Sequence, residues 1–483
     1  MKYIIAHDFG TSSLKSAIFS EDGELRFSVG SDYPTYRPRD GWVEQDAQDW
    51  WNAFCDHNKK LTAGIDPKDV VCVSFDGTTA DSVCIGADGE PLYRAMIWQD
   101  RRAQEEGQEV KAALTEQTGA GRGFMGPGRS GIMLYWIKKN EPAVFAQTKT
   151  WVVNNAAYVI YKLTGKSVCD RQVGWASAFA DADKKDWTYD LVDKLGIPRS
   201  LLPELHDSTD IIGEVTEEVG KASGLAAGTK IVVGTGDGES VDLGAGFIYD
   251  GAVAMTCGTS GGMSVFGNPK NLPGTSATGA SMEWLRKTIC TEEEREAKET
   301  GKDVFEVIIG KAQKAPVGSH GVVYHPYLAG ERGVRMNMKA RASFTGISSQ
   351  ANREDIIRSV IEGIGFSLNG HVVRYRADGY PVKRITATGG MTKSPFVMQV
   401  FADIMDAEIV TVKNSAWCGC TGGAILGSIA VGFSKDLKDA AAKFVHVDTV
   451  TAPNPENQKV YAQMLPLFEE IYEAQKPLYE KMS

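Results

Sequence analysis

The sequence contains no run of ~18 apolar residues, and its start, Met1-Lys2-Tyr3-Ile4-Ile5-Ala6-His7-Asp8, reaches a carboxylate before a signal-peptide core could form. No membrane partner is expected, and the cytoplasm is the expected compartment. Eight cysteines (Cys55, Cys72, Cys84, Cys169, Cys257, Cys290, Cys418 and Cys420) lack the paired spacing of a zinc site and the density of a secreted scaffold. They are expected to be free thiols. Cys418-Gly419-Cys420 admits a redox or metal-binding reading beside the plainer one of small residues in a tight turn. Positive charge is also short: 52 Lys and Arg face 62 Asp and Glu, for a net charge of −10. That balance excludes a surface built for nucleic acid or an anionic membrane, both of which reward a cation excess. The turn at Gly389-Gly390 is not a Gly-x-Gly-x-x-Gly fingerprint, there is no basic helix-turn-helix segment, and no Pro/Ser-rich linker marks a boundary near 245–250.

What is present is a globular composition, 42% hydrophobic and 24% charged over 483 residues. Single cores stop growing at ~250–300 residues, so two domains are expected. Strand-like alternation runs through Tyr3 to Ala6, turns at Gly10-Thr11-Ser12, returns through Leu14 to Phe19 and turns again at Glu21-Asp22-Gly23, which predicts an opening hairpin. Further β-like runs are Val70–Phe75, Ser82–Ile85, Ile231–Val233, Val253–Met255, Ile385–Thr388 and Ile409–Val412, with helical patterns such as Ile356–Leu368 and Phe396–Met405 between them. The class is α/β. Asp8-Phe9-Gly10-Thr11-Ser12 is echoed half a chain later by Thr256-Cys257-Gly258-Thr259-Ser260-Gly261-Gly262, again between apolar segments. A duplicated hairpin would open each domain, giving an N-terminal domain over 1–247 and a C-terminal domain over 248–483.

Four segments carry chemistry. A Gly-Thr-Ser turn offers backbone N–H groups and hydroxyls to an anion, and is otherwise a plain β-turn. Asp8, ending an apolar strand, either stabilises its turn or orients a Mg²⁺ ion, through water because that ion keeps several of its waters. Ile231 to Ser240 is a buried-type strand running into Gly234-Thr235-Gly236-Asp237-Gly238. Asp237 there is either a helix cap or a carboxylate that takes a hydroxyl proton during phosphoryl transfer. Gly389-Gly390, between a strand and a helix capped by Ser394, is a bland turn or a flat bed for a nucleotide. Trp98-Gln99-Asp100-Arg101 mixes an aromatic face with polar groups as a polyol site does, or is a strand-end ion pair beside a core tryptophan.

Together these residues resemble the FGGY carbohydrate kinases, the family of glycerol, gluconate, ribulose and xylulose kinases, over nearly the whole chain. Ala342-Ser343-Phe344-Thr345-Gly346-Ile347, Asp355-Ile356 and Ser359-Val360-Ile361-Glu362 fit the C-terminal signature of that family. Ser130, Leu134, Trp136 and Ile137 fit its N-terminal signature, with Met133 where Lys is usual. The resemblance implies two ribonuclease-H-like, actin-like-ATPase domains closing over a central cleft, with ATP and Mg²⁺ as cofactors, a small sugar as partner and a homodimer admitted. It implies that Gly10, Thr11, Ser12 and Lys15, with Gly258, Thr259 and Ser260, bind phosphates. Gly389, Gly390 and Ser394 then lie at the adenosine, Asp8 and Asp237 are catalytic, and Asp237 is the base. Thr78, Thr79, Trp98, Asp100 and Arg101 are implied on the sugar side.

Tyr327-Leu328-Ala329-Gly330-Glu331-Arg332 is similar to the xylulokinase segment Tyr-Leu-Ser-Gly-Glu-Arg, which puts a ketopentose such as xylulose first. Thr78-Thr79-Ala80 stands where xylulokinases carry Gln-Met-His, Gly238 stands where they carry Asn, and Phe75-Asp76-Gly77-Thr78-Thr79 looks more like ribulose-kinase relatives. Ribulose, gluconate, glycerol or another polyol is the alternative substrate. A non-catalytic ATP-binding member of the superfamily would need no sugar tract, and a sugar-binding regulator would need a DNA-binding segment.

Overall fold

The computed structural model describes residues 1–118, 126–181, 186–249, 251–268, 270–275 and 278–482. They form two compact units. The first comprises 1–244 and 417–445, the second 245–416 and 446–483.

In the first unit β1 (Tyr3–Phe9), β2 (Ser13–Ser20) and β3 (Leu25–Asp32) form an antiparallel meander. β4 (Val70–Gly77) runs parallel to β1 on its other side. β5 (Ile211–Glu214) pairs antiparallel with β6 (Lys230–Val232), and β6 and the short β7 (Thr235–Gly236) both lie parallel to β4. The resulting order is β5-β6-β4-β1-β2-β3. The central strands are covered on both faces and are accordingly apolar nearly throughout. Alternation sends Ile5, Phe9, Val73 and Phe75 to a core with Trp50 and Phe54 of the helix Ala47–Thr62. It sends Ile4, Ala6 and Cys72 to a second core with Cys420, Ala424 and Ile425.

That second core corrects the expected domain over 248–483. The chain returns to the first unit as the helix Cys418–Ala430, which lies on β1 and β4. Close backbone approach is what puts it there. A methyl group on Gly427 would lie 3.0 Å from Ile4, one on Gly423 would lie 3.2 Å from Ala6, and one on Gly422 would lie 1.9 Å from the Ser240 carbonyl. The tight turn expected at Cys418-Gly419-Cys420 is thus the first turn of this helix. All eight cysteines are free and buried. Burial pushes the Cys418 thiol up to about 12, far from thiolate chemistry.

In the second unit β8 (Val253–Cys257) and β9 (Gly261–Val265) form an antiparallel hairpin, and β10 (Arg384–Thr388) and β11 (Glu408–Val412) extend it in parallel. β12 (Val447–Thr451) closes the far edge antiparallel to β11. Each unit therefore has a hairpin whose first strand is flanked by a parallel strand, with the two echoed glycine turns at the same topological place. The segment Ala342–Glu362 builds structure. Asp355 and Asn352 form a capping box on the helix Arg353–Ala377, and buried Glu362 accepts hydrogen bonds from Arg358, Ser319, Tyr461 and the Gly318 N–H. Tyr327 and Glu331 are likewise buried and bonded within the unit, to Arg335 and Thr275.

Candidate active site

In the first unit, β1, β4 and β7 end at the same edge of the sheet, the side on which α/β sheets bind ligands. Asp8 is the next-to-last residue of β1, Asp76 pairs with it in register on β4, and Asp237 directly follows β7. Parity points Asp8 and Asp76 to the face covered by the helix Cys418–Ala430, where a methyl on Gly419 would lie 2.5 Å from Asp8 Oδ2. Lys15 stands opposite Asp8 on β2. Burial raises the Asp8 carboxyl above the usual range, and Lys15 opposes that rise. Asp76 is fully buried, with the Asp8 carboxyl and the Ser240 hydroxyl as its polar neighbours. Burial first, then the neighbouring Asp8 and Asp237, hold it well above the usual range.

Asp237 is half-buried at the first turn of the helix Asp237–Gly244. Its Oδ1 accepts the Gly238 N–H at 2.8 Å and the Thr79 hydroxyl at 3.2 Å. Burial is the main reason its carboxyl is pushed up to about 6. Thr78 donates its hydroxyl to Asp81, a fully buried acid that also accepts the Trp98 N–H at 3.2 Å and is pushed up to about 7 by burial. The Trp98 indole N–H donates to the Thr11 hydroxyl at 2.9 Å, tying the sugar-side tract to the glycine turn. That turn is further held by Tyr33, whose hydroxyl donates to the Gly10 carbonyl, and by Gln45, which donates to the Thr11 carbonyl at 2.6 Å. Ser12 is exposed at its tip.

The polyol reading of Asp100 is corrected. Its carboxylate is buried and takes the Val43 N–H at 2.6 Å and a fork from Arg102, whose guanidinium also pairs with Glu44 and lies 3.6 Å from the Trp42 ring centre. All its acceptor capacity is spent inside the fold, on the strand-end ion pair beside a tryptophan. Trp98, 42% exposed, and the exposed Arg101 remain open to a ligand. Asp76, Asp81, Tyr33 and Asn155 were not legible as site residues. Asn155 takes the Thr78 N–H and donates to the Phe9 carbonyl, joining the ends of β1 and β4. The available signal was a carboxylate inside an otherwise apolar strand, Phe75-Asp76-Gly77.

In the second unit the remaining predicted residues also meet. β8 and β10 are neighbours, with Thr256 beside Thr388, so the Cys257-Gly258-Thr259-Ser260 turn abuts Gly389-Gly390. Gly389 has φ 101° and ψ 175°, and a methyl on it would lie 2.6 Å from the Cys257 carbonyl carbon. Thr259 and Ser260 are exposed, nothing lies within 4 Å of the space beside Gly390, and Ser394 caps the following helix by accepting the Val397 N–H.

The raised carboxyls set opposite pH trends for stability and chemistry. Asp81 and Asp242 are pushed to about 7, Asp170 and Asp237 to about 6, burial leading in each case. A raised acid holds its proton in the folded chain where the unfolded chain has lost it, so its stabilising contribution is present at low pH and lost as pH rises through 6–7. The buried His7, His57, His325 and His371, pushed down by burial, act in the opposite sense, so the carboxyl contribution is read by difference: Asp242→Asn is expected to reduce the melting temperature at about pH 5.5 relative to that at about pH 8, compared with the unchanged protein, by circular dichroism. A base at Asp237 works only when ionised, so activity should fall in the same direction, below about pH 6. An unchanged difference between the two pH values in Asp242→Asn would show that carboxyl to be solvated.

Residues 3–244 match the profile of the FGGY family of carbohydrate kinases, N-terminal domain, and residues 253–431 match its C-terminal domain. The chain is similar to the xylulose kinase of Staphylococcus epidermidis, 28% identical over 502 residues that cover 98% of this chain and 97% of the relative. It is also similar to the gluconokinase of Bacillus subtilis, 27% identical over 497 residues with 96% and 94% covered. Among solved structures, the ligand-bound xylulose kinase from Lactobacillus acidophilus matches with a TM-score of 0.85 at 29% identity, covering 100% of both chains.

Proposed function

The chain belongs to the FGGY family of carbohydrate kinases and is a sugar kinase, and from that premise we propose that it moves the terminal phosphoryl group of ATP onto a terminal hydroxyl of a ketopentose such as xylulose. The observation that carries the residue roles is the state of Asp237. Two donors load Oδ1, and Oδ2 accepts no hydrogen bond from the described residues, so it is free to take the proton of the attacking hydroxyl. Asp237 is the general base. The half-exposed Trp98 ring suits the C–H face of a sugar and Arg101 its hydroxyls. In the second unit the exposed Thr259 and Ser260 and the open space at Gly390 suit a nucleotide.

A magnesium ion fits the carboxylates at the end of β1 and β4. Mg²⁺ takes one or two carboxylates plus phosphate oxygens, and Asp8 and the buried Asp76 stand side by side at these strand ends. Asp8 would hold the ion through water with Asp76 behind it, and the ion would neutralise charge on the transferring phosphates. Lys15, opposite Asp8, offsets the negative charge of that corner.

The same crowd of acids favours a neutral substrate. Asp8 and Asp237 raise the Asp76 carboxyl, Asp8 and Glu239 raise that of Asp237, Asp237 raises that of Asp81, and an aldonate would bring a further negative charge. A gluconate reading rests on the similar gluconokinase and on exposed Arg101, a cation that could meet a carboxylate. ADP release by the purified protein against xylulose, ribulose, xylitol, gluconate and glycerol decides between them. A pentulose is expected to give the highest kcat/KM, and gluconate in first place would overturn the neutral-sugar reading.

A further inference from the structure

The sequence resemblance places Thr79 on the sugar side. Its position in the fold supports a different task. Thr79 follows the end of β4, and its hydroxyl lies 3.2 Å from Oδ1 of Asp237, 158 residues further along the chain. A hydroxyl has one proton to give, and this one is directed at the carboxylate. The same Oδ1 takes the Gly238 N–H at 2.8 Å. One oxygen of the acid is thus pinned from two sides by donors on two different elements, while the other is left free. Carboxyl torsions are broad and roughly two-fold, so without such pinning either oxygen could turn towards the substrate. We infer that Thr79 is a positioning residue for the general base, fixing the Asp237 carboxylate by its Oδ1 so that Oδ2 faces the accepting hydroxyl. This rests on Asp237 being the base.

The surroundings make the bond matter. Asp237 is faced by Asp8 of β1, Asp76 of β4, Asp81 just beyond β4, Tyr33 just beyond β3 and Glu239 of its own helix. The acids among them work against its ionised form, as does burial, and the two donors on Oδ1 work for it. Removing the Thr79 hydroxyl therefore both loosens the carboxylate and makes it harder to ionise.

The test compares Thr79→Val, close in volume but without the hydroxyl, with Thr79→Ser, which keeps it. Thr79→Val is expected to lower kcat by about tenfold with little change in KM for the sugar, and to move the acidic limb of the kcat/KM profile up by about one pH unit. Thr79→Ser should restore most of the rate and return the limb towards its original place. If Thr79→Val instead raises KM or changes the order of preferred sugars while the acidic limb stays put, Thr79 reads the sugar and the inference is overturned. Melting curves of both variants separate a folding defect from this effect, because a misfolded fraction lowers the rate without moving the limb. Asp237→Ala in the same assay keeps the two readings apart. An active Asp237→Ala enzyme refutes the base itself, whereas an inactive one beside an unaffected Thr79→Val refutes only the positioning role.

Discussion

Asp237→Ala is expected to lower kcat by at least ~10²-fold, the usual scale for loss of a general base, while ADP binding stays close to that of the unchanged protein. The nucleotide's expected contacts are made by other residues, so removing this carboxylate takes away an interaction of the reacting hydroxyl and little else. Folding should not suffer. The carboxyl is held at about 6 by burial, which means the fold opposes its charge near neutral pH, and alanine removes that opposition at the loss of two hydrogen bonds to Oδ1. A melting temperature equal to or above that of the unchanged protein, together with the collapse in kcat, is the signature of a residue kept for chemistry against stability. A raised KM with an unchanged kcat would instead make Asp237 a substrate-binding group, and the base would have to be sought among the neighbouring acids.

How much of this was readable in the sequence depends on how local each feature is. The β1–β2 hairpin was legible because alternation and a Gly-Thr-Ser turn lie within a few residues of one another. Asp237 was legible because three of the five residues from Gly234 to Gly238 are glycine, a composition that singles out the carboxylate among them. Asp76 was not, since its isolation exists only after the helix Cys418–Ala430 has returned across more than 300 residues to cover it. That helix was itself hidden: Cys-Gly-Cys-Thr-Gly-Gly has the composition of a loop, and only the sheet beneath explains why glycines stand on its inner face. Asp100 failed for the converse reason. The tract around it is right for a polyol, but its carboxylate is consumed by Arg102 and by the backbone of Val43, a partner 57 residues away.

The two adjacent glycines at 389 and 390 should separate sharply on substitution to alanine. Gly389 holds φ 101° and ψ 175°, a region that essentially only glycine occupies, at a cost of about 1–3 kcal/mol for another residue. The added methyl would also meet backbone, at 2.6 Å from the Cys257 carbonyl carbon and 2.9 Å from the Gly258 nitrogen, where no side-chain tip can swing aside. Gly389→Ala must therefore push the Cys257-Gly258-Thr259-Ser260 turn out of place, with a lowered melting temperature and an increase of tenfold or more in KM for ATP. At Gly390 φ is not positive and a methyl meets nothing within 4 Å. Gly390→Ala should leave the melting temperature within about 1 °C, since surface substitutions of this kind cost little. Its effect on ATP then reports only on what a ligand would meet there: if adenosine lies against Gly390, KM for ATP rises severalfold with kcat nearly unchanged. An unaltered KM for ATP in Gly390→Ala would move the adenosine away from this turn and leave Gly389 a residue required by the strand ends alone.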